Sequence, residues 1–192
     1  MLDAMHIHTQ LRRAARLKSR IDAYARETGL DATAASARSA LDSVDQILRF
    51  PDSADKDAVA ELFLVDRALF DRDGREETTL DLFRQEHRDR LSAFERDLLD
   101  GWARAATLGW FEVAAHHGDH AVVVDVRTTL DHTVAEEPGS NLLRGVRPGG
   151  FLHARLLPVE TIWLACAPIA VGSGRLREKI RGHVERAATV AE

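Results

Sequence analysis

Gly109-Trp110-Phe111-Glu112-Val113-Ala114-Ala115-His116-His117-Gly118-Asp119-His120-Ala121-Val122-Val123-Val124-Asp125-Val126 is the stretch where the apolar period of this chain changes from three-to-four to two. In an extended strand successive side chains alternate between faces, so Phe111, Val113 and Ala115 fall on one side. Trp110, Glu112 and His116 fall on the other. His117-Gly118-Asp119 is a hairpin connection, and Val122, Val124 and Val126 mark the returning strand.

Downstream, a third strand is expected around Leu130 to Ala135. An irregular stretch runs from Pro138-Gly139-Ser140-Asn141 to Pro148-Gly149-Gly150. Two more strands follow, one with Leu152, Ala154 and Leu156 inward, the other with Ile162, Leu164 and Cys166 inward. Five short antiparallel strands in so few residues predict a barrel or a strongly curved sheet, because closure removes the exposed edges.

Upstream the period is helical. Leu11, Ala14, Leu17, Ile21 and Tyr24 form one stripe, ended at Gly29. Asp31 or Thr33 can cap a second helix with Ala34, Ala37, Leu41, Val44 and Leu48 buried, closed by Pro51 and paired with the first as a hairpin. Ser53 can cap a third, carrying Ala58, Leu62, Val65 and Leu69, with Phe63 and Phe70 widening its stripe. Asp73-Gly74 is a turn signal, and Thr78 with Asp81 opens a short helix holding Leu82 and Phe83. Ser92 with Glu95 is a capping box for a helix that buries Phe94, Leu98, Trp102 and Ala105. Ser173 caps a last amphipathic helix with Leu176, Ile180, Val184 and Ala187. The expectation is an α+β chain: about five N-terminal helices over 1–107, a small five-stranded antiparallel β domain over 108–172, and a C-terminal helix over 173–192.

At 192 residues the chain is long enough for a real core, and its charged fraction of 30% is that of an ordinary globular protein. The lone cysteine, Cys166, excludes an intramolecular disulfide and a Cys-based zinc site. The N-terminus lacks the layout of a signal peptide, and the longest apolar run, Ile162 to Val171, is too short to span a bilayer. A soluble, cytoplasmic protein is expected. The net charge of −5 gives no reason for binding nucleic acid or an acidic membrane.

From Leu62 onward the chain resembles an uncharacterised bacterial family. The matching residues are Phe70-Asp71 with Asp73-Gly74-Arg75, Thr79-Leu80 with Leu82-Phe83, Leu98-Leu99 with Gly101-Trp102, and Phe111-Glu112-Val113. They continue in Val146-Arg147-Pro148-Gly149, Ala154-Arg155-Leu156-Leu157-Pro158-Val159 and Trp163-Leu164. Some members carry a C-terminal SEC-C type zinc motif, which this chain lacks, so no zinc site carries over. Gly150 and Thr128-Thr129 depart from the pattern, the latter replacing a glycine-containing turn. The resemblance implies a fold and no activity.

Three constellations bear on function. His116, His117, Asp119 and His120, with His132 on a neighbouring strand, carry the imidazoles and carboxylate that suit a transition metal. Against this, adjacent strand residues such as His116 and His117 point to opposite faces, and hairpin tips are commonly polar. Trp110, His153, Arg155 and Trp163 fall on the outward side of their strands by alternation, together with Phe151. Such residues could stack bases, but Asp119, Asp125, Asp131, Glu112, Glu136, Glu137 and Glu160 outnumber the four arginines of the region. They are better taken as packing under the helical half or as a protein-contact surface. The basic face of the first helix, Arg12, Arg13, Arg16 and Arg20, is most simply solvated. His87-Arg88-Asp89 imitates a kinase tripeptide without the rest of its motif set. No hydrolase triad or phosphate loop is found.

The expectation is therefore a non-catalytic interaction or regulatory protein, without a cofactor, recognising another protein or itself, a homodimer included. One alternative is an enzyme or small-ligand protein whose site joins the helical half to the sheet through His153, Arg155 or Glu112. The other is nucleic-acid binding through the basic helices.

Overall fold

The computed structural model describes residues 4–28, 53–72, 76–137, 140, 142–172 and 174–190. Among the described residues, four α-helices precede the sheet: α1 (Ala4–Thr28), α2 (Ser53–Phe70), α3 (Thr79–Glu86) and α4 (Ala93–Ala105). The strands are β1 (Thr107–His117), β2 (His120–Asp125), β3 (Asp131–Glu136), β4 (Phe151–Val159) and β5 (Ile162–Gly172). A short α5 (Leu142–Gly145) joins β3 to β4, and α6 (Arg177–Val190) ends the described chain. The helix expected between Asp31 and Pro51, the Asp73-Gly74 turn and the Ser173 cap lie outside the described residues. Among the described residues no helix is long and apolar enough to cross a membrane.

Local chemistry sets the helix starts. Thr78 and Asp81 satisfy each other's backbone N–H across α3, and Ser92 and Glu95 do the same across α4. The α1 stripe is buried as Leu11, Ala14, Leu17, Ile21 and Ala25, with Tyr24 at its edge. On α2 the expected stripe is displaced: Leu62 is 38% exposed and Phe63 is buried with Val65, Asp66, Ala68 and Leu69. On α4 Leu99 takes the interior place expected for Ala105, which is exposed.

The five strands close into a barrel in the order β1-β2-β3-β5-β4. Four of the five pairings are antiparallel, but β3 and β5 run parallel, which corrects the all-antiparallel expectation. Order and parallel pair together are those of the OB-type Greek-key barrel. The β1–β2 turn has Gly118 at its first central position with φ 65, the conformation a two-residue II′ turn requires.

Two irregularities, one extra residue on β1 between Val113 and Ala115 and a longer excursion of β5 between Cys166 and Ala170 opposite His153 and Arg155, mark where the strands bend. The first also inverts the side-chain phase. Past it Ala115 pairs with Val122 and His116 with Ala121, so His116 turns inward and Ala115 outward, opposite to simple alternation. The interior of β2 is accordingly Ala121 and Val123, while Val122 and Val124 are half-buried on the outer side.

Two cores result. Phe111, Val113, Ala121, Val123, Val134, Leu152, Ala154, Leu156 and Ala165 fill the barrel, and Leu143 and Val146 close one end through α5. A larger core lies between the barrel's outer wall and the helices, where Leu17, Ile21, Leu69, Leu99 and Trp102 meet Leu157, Val159, Leu164 and Cys166. Ile162, Leu164 and Cys166 therefore face the helices and not the barrel interior, which Trp163 and Ala165 face instead. Each fully buried large apolar side chain contributes about 1.5–3 kcal/mol. The Trp102 indole also donates to the Pro158 carbonyl at 3.0 Å, fixing α4 on β4.

Candidate functional site

The outer wall of β4 and β1 carries polar residues into the helix–barrel core. Arg155 and Asp66 are 6% and 5% exposed, and the guanidinium donates to both carboxylate oxygens, Nε at 3.0 and 3.2 Å and Nη2 at 2.6 Å. The Phe70 ring lies under the same guanidinium at 4.5 Å, and Asp71 reaches it at 3.8 Å. A bidentate pair of this kind fixes direction as well as distance, so it sets how α2 lies on β4.

Beside it, Trp110 and His153 are cross-strand partners with ring centres 4.9 Å apart, and Phe63 of α2 covers His153 at 5.5 Å. Among the described residues, the buried Trp110 Nε1 and His153 Nδ1 atoms have no hydrogen-bond partner. Burial pushes the His153 pKa down to about 4. The nearby His183 and Arg155 charges push the same way, and Asp66 opposes them. The ring is neutral at pH 7, as a stacked apolar setting demands.

Of the four outward residues marked in the sequence, Trp110, His153 and Arg155 are thus brought together under α2. Trp163 is not: it lies on the interior side of β5, packed edge-on to His132 at 4.9 Å. Glu112, the other residue of the enzyme alternative, points toward α6 and pairs with Arg177. Sequence reasoning missed Asp66. The signal was there, a carboxylate inside the apolar run Phe63 to Leu69, since a buried acid needs a cation.

A second buried polar group lies on α1. Lys18 is 5% exposed and donates to Asp22 at 2.6 Å. Burial works against its charge, but the field of Asp22, the bond to Asp22 and the field of Asp66 outweigh it, and its pKa is raised. Burial likewise pushes the Glu137 carboxyl up and the Cys166 thiol well up, which leaves that sulfur an unreactive thiol.

The histidines separate. His116 donates through Nε2 to the Val146 carbonyl at 2.7 Å, and His132 packs between Phe111 and Trp163. His117 and His120 face each other at the hairpin tip with ring centres 5.9 Å apart, and Asp119 lies 3.2 Å from His120 Nδ1. Among the described residues no three His, Cys, Asp or Glu side chains already stand as a metal-holding group.

The basic face of α1 is partly engaged: Arg20 bonds Glu95 at 2.5 Å and Arg13 stacks over Phe94 at 3.9 Å. A groove of about 480 Å³ between α3 and α4 mixes Arg84, Arg88 and Arg96 with Glu77, Asp81 and Asp100. Its Arg84 is already held by Asp81 and Asp100. No family profile, curated protein or solved structure matches this chain.

Proposed function

We propose that this chain is a non-catalytic interaction module whose helical layer and barrel act as one body. The observation that carries the reading is the fate of the polar residues at their junction. Arg155 is engaged by Asp66 and His153 is held neutral between Trp110 and Phe63. An enzyme joined across this boundary needs those groups exposed to a substrate, and here they fasten the two halves together.

The docking surface in this reading is the outer face of β2 and β3. Val122 is paired with Thr133, both half-buried, and half-buried Val124 lies beside exposed Asp131. Among the described elements, β2 packs on β1 and β3, with only isolated contacts elsewhere. An apolar strip beside Asp119 and Asp131 suits a protein that offers apolar side chains with basic neighbours, and it disfavours a phosphate backbone. This is also the face OB-type barrels commonly use for ligands, although a fold does not by itself assign one.

Native mass spectrometry of the untagged protein, followed by the Val122→Asp, Val124→Lys double variant, tests this. The expected result is a protein complex, self-assembled or with a captured partner, that the double variant abolishes while its circular dichroism is unchanged. A stoichiometric organic molecule co-purifying with a monomer would overturn the reading, as would a complex indifferent to both substitutions.

A further inference from the structure

The hairpin tip holds a pair of imidazoles that alternation along one strand does not reveal. His117 and His120 flank the Gly118-Asp119 turn as direct cross-strand partners, so their side chains leave the same face of the ribbon. Their ring centres are 5.9 Å apart with a tilt of 34°. Two imidazoles sharing one ion, each with a metal–nitrogen distance of about 2.1 Å, place their ring centres roughly 5–6.5 Å apart. The observed spacing lies in that range without moving the backbone.

We propose that His117 and His120 form a two-imidazole chelate for a borderline divalent transition ion such as Zn²⁺ or Ni²⁺, with Asp119 orienting His120.

Asp119 Oδ1 is 3.2 Å from His120 Nδ1. When that nitrogen carries the proton it donates to the carboxylate, and the Nε2 lone pair is left for the ion. A carboxylate behind a ligating imidazole is the usual arrangement that fixes tautomer and ring orientation. His117 is exposed and His120 half-buried, so water can fill the remaining coordination positions.

This set differs from the one alternation selects. His116 is committed to the Val146 carbonyl and His132 to aromatic packing, so neither is free to ligate from the tip. The chemistry also sets the ion class: imidazole suits zinc, nickel and copper, whereas magnesium and calcium require oxygen ligands.

The test is a titration of the untagged full chain with Zn²⁺, followed by the ring signals of the histidines in NMR, with Mg²⁺ as the control. The His117 and His120 signals should move together and before any other histidine, saturating at one ion per chain. His117→Gln and His120→Gln should each weaken binding by about tenfold or more, and Asp119→Asn by about tenfold. Thermal melts confirm that these surface variants fold. Zinc affinity unchanged in His117→Gln, first movement at His6 or His8, or equal shifts with Mg²⁺ would each overturn the proposal.

Discussion

Arg155 of β4 grips Asp66 of α2 across 89 positions of sequence, through a guanidinium and a carboxylate that are both nearly sealed from solvent. Neither partner tolerates burial alone, so the helical layer and the barrel are obliged to form together. The Asp66→Ala variant should lose about 3–5 kcal/mol in chemical denaturation, because it leaves an uncompensated buried cation. Replacing both residues, as Asp66→Leu with Arg155→Met, should recover most of that loss. A single variant within about 1 kcal/mol of the parent would show that the pair is solvated and does not clamp the halves.

His153 gives the fold an acid-sensitive element. Its pKa is about 4 when folded, below the ordinary 6.5. A group depressed in this way contributes stability that is complete above about pH 6.5, and loses it as the pH falls toward 4, because the unfolded chain takes up the proton first. Over that window the loss is on the order of 3 kcal/mol. The slope of unfolding free energy against pH should flatten in His153→Phe. An unchanged slope in that variant would assign the acid sensitivity to the carboxylates.

Thr129, in the β2–β3 turn, has φ 60, a left-handed conformation that β-branched side chains avoid. Thr129→Gly should raise stability by up to about 1 kcal/mol, since relief of backbone strain exceeds the added freedom of the unfolded chain. A destabilised variant would mean that the hydroxyl's bond to the Thr128 carbonyl outweighs the strain.

The strand phase of β2 is open to a direct test. Val123→Asp places a carboxylate inside the barrel and should abolish cooperative unfolding, whereas Val122→Asp on the outer face should shift stability by about 1 kcal/mol or less. Equal effects would mean that the strand is not held in the described register.

How far the sequence carried depended on the range of the interactions. The capping boxes Thr78–Asp81 and Ser92–Glu95 were legible because each closes within one helical turn. The change of period at Gly109 located the sheet for a similar reason, since alternation is a property of a single strand. The β1 irregularity was not legible. One extra residue costs nothing in the local pattern yet reverses every side chain beyond it, which is why His116 and Ala115 exchanged faces. Both sides of β5 are apolar, so pattern alone could not say which of its sides met the helices.

By itself, then, the sequence determined the order of the described elements, the caps of α3 and α4, the Gly118 turn and the acidic balance of the β region, all set by neighbours in the chain. The tertiary structure alone decided the parallel β3–β5 closure, the Arg155–Asp66 pair, the isolation of Trp163 from Trp110, and the pairing of His117 with His120. Each of these depends on where a strand is bent and which of its faces is covered. Those are long-range matters of packing and desolvation that no local period records.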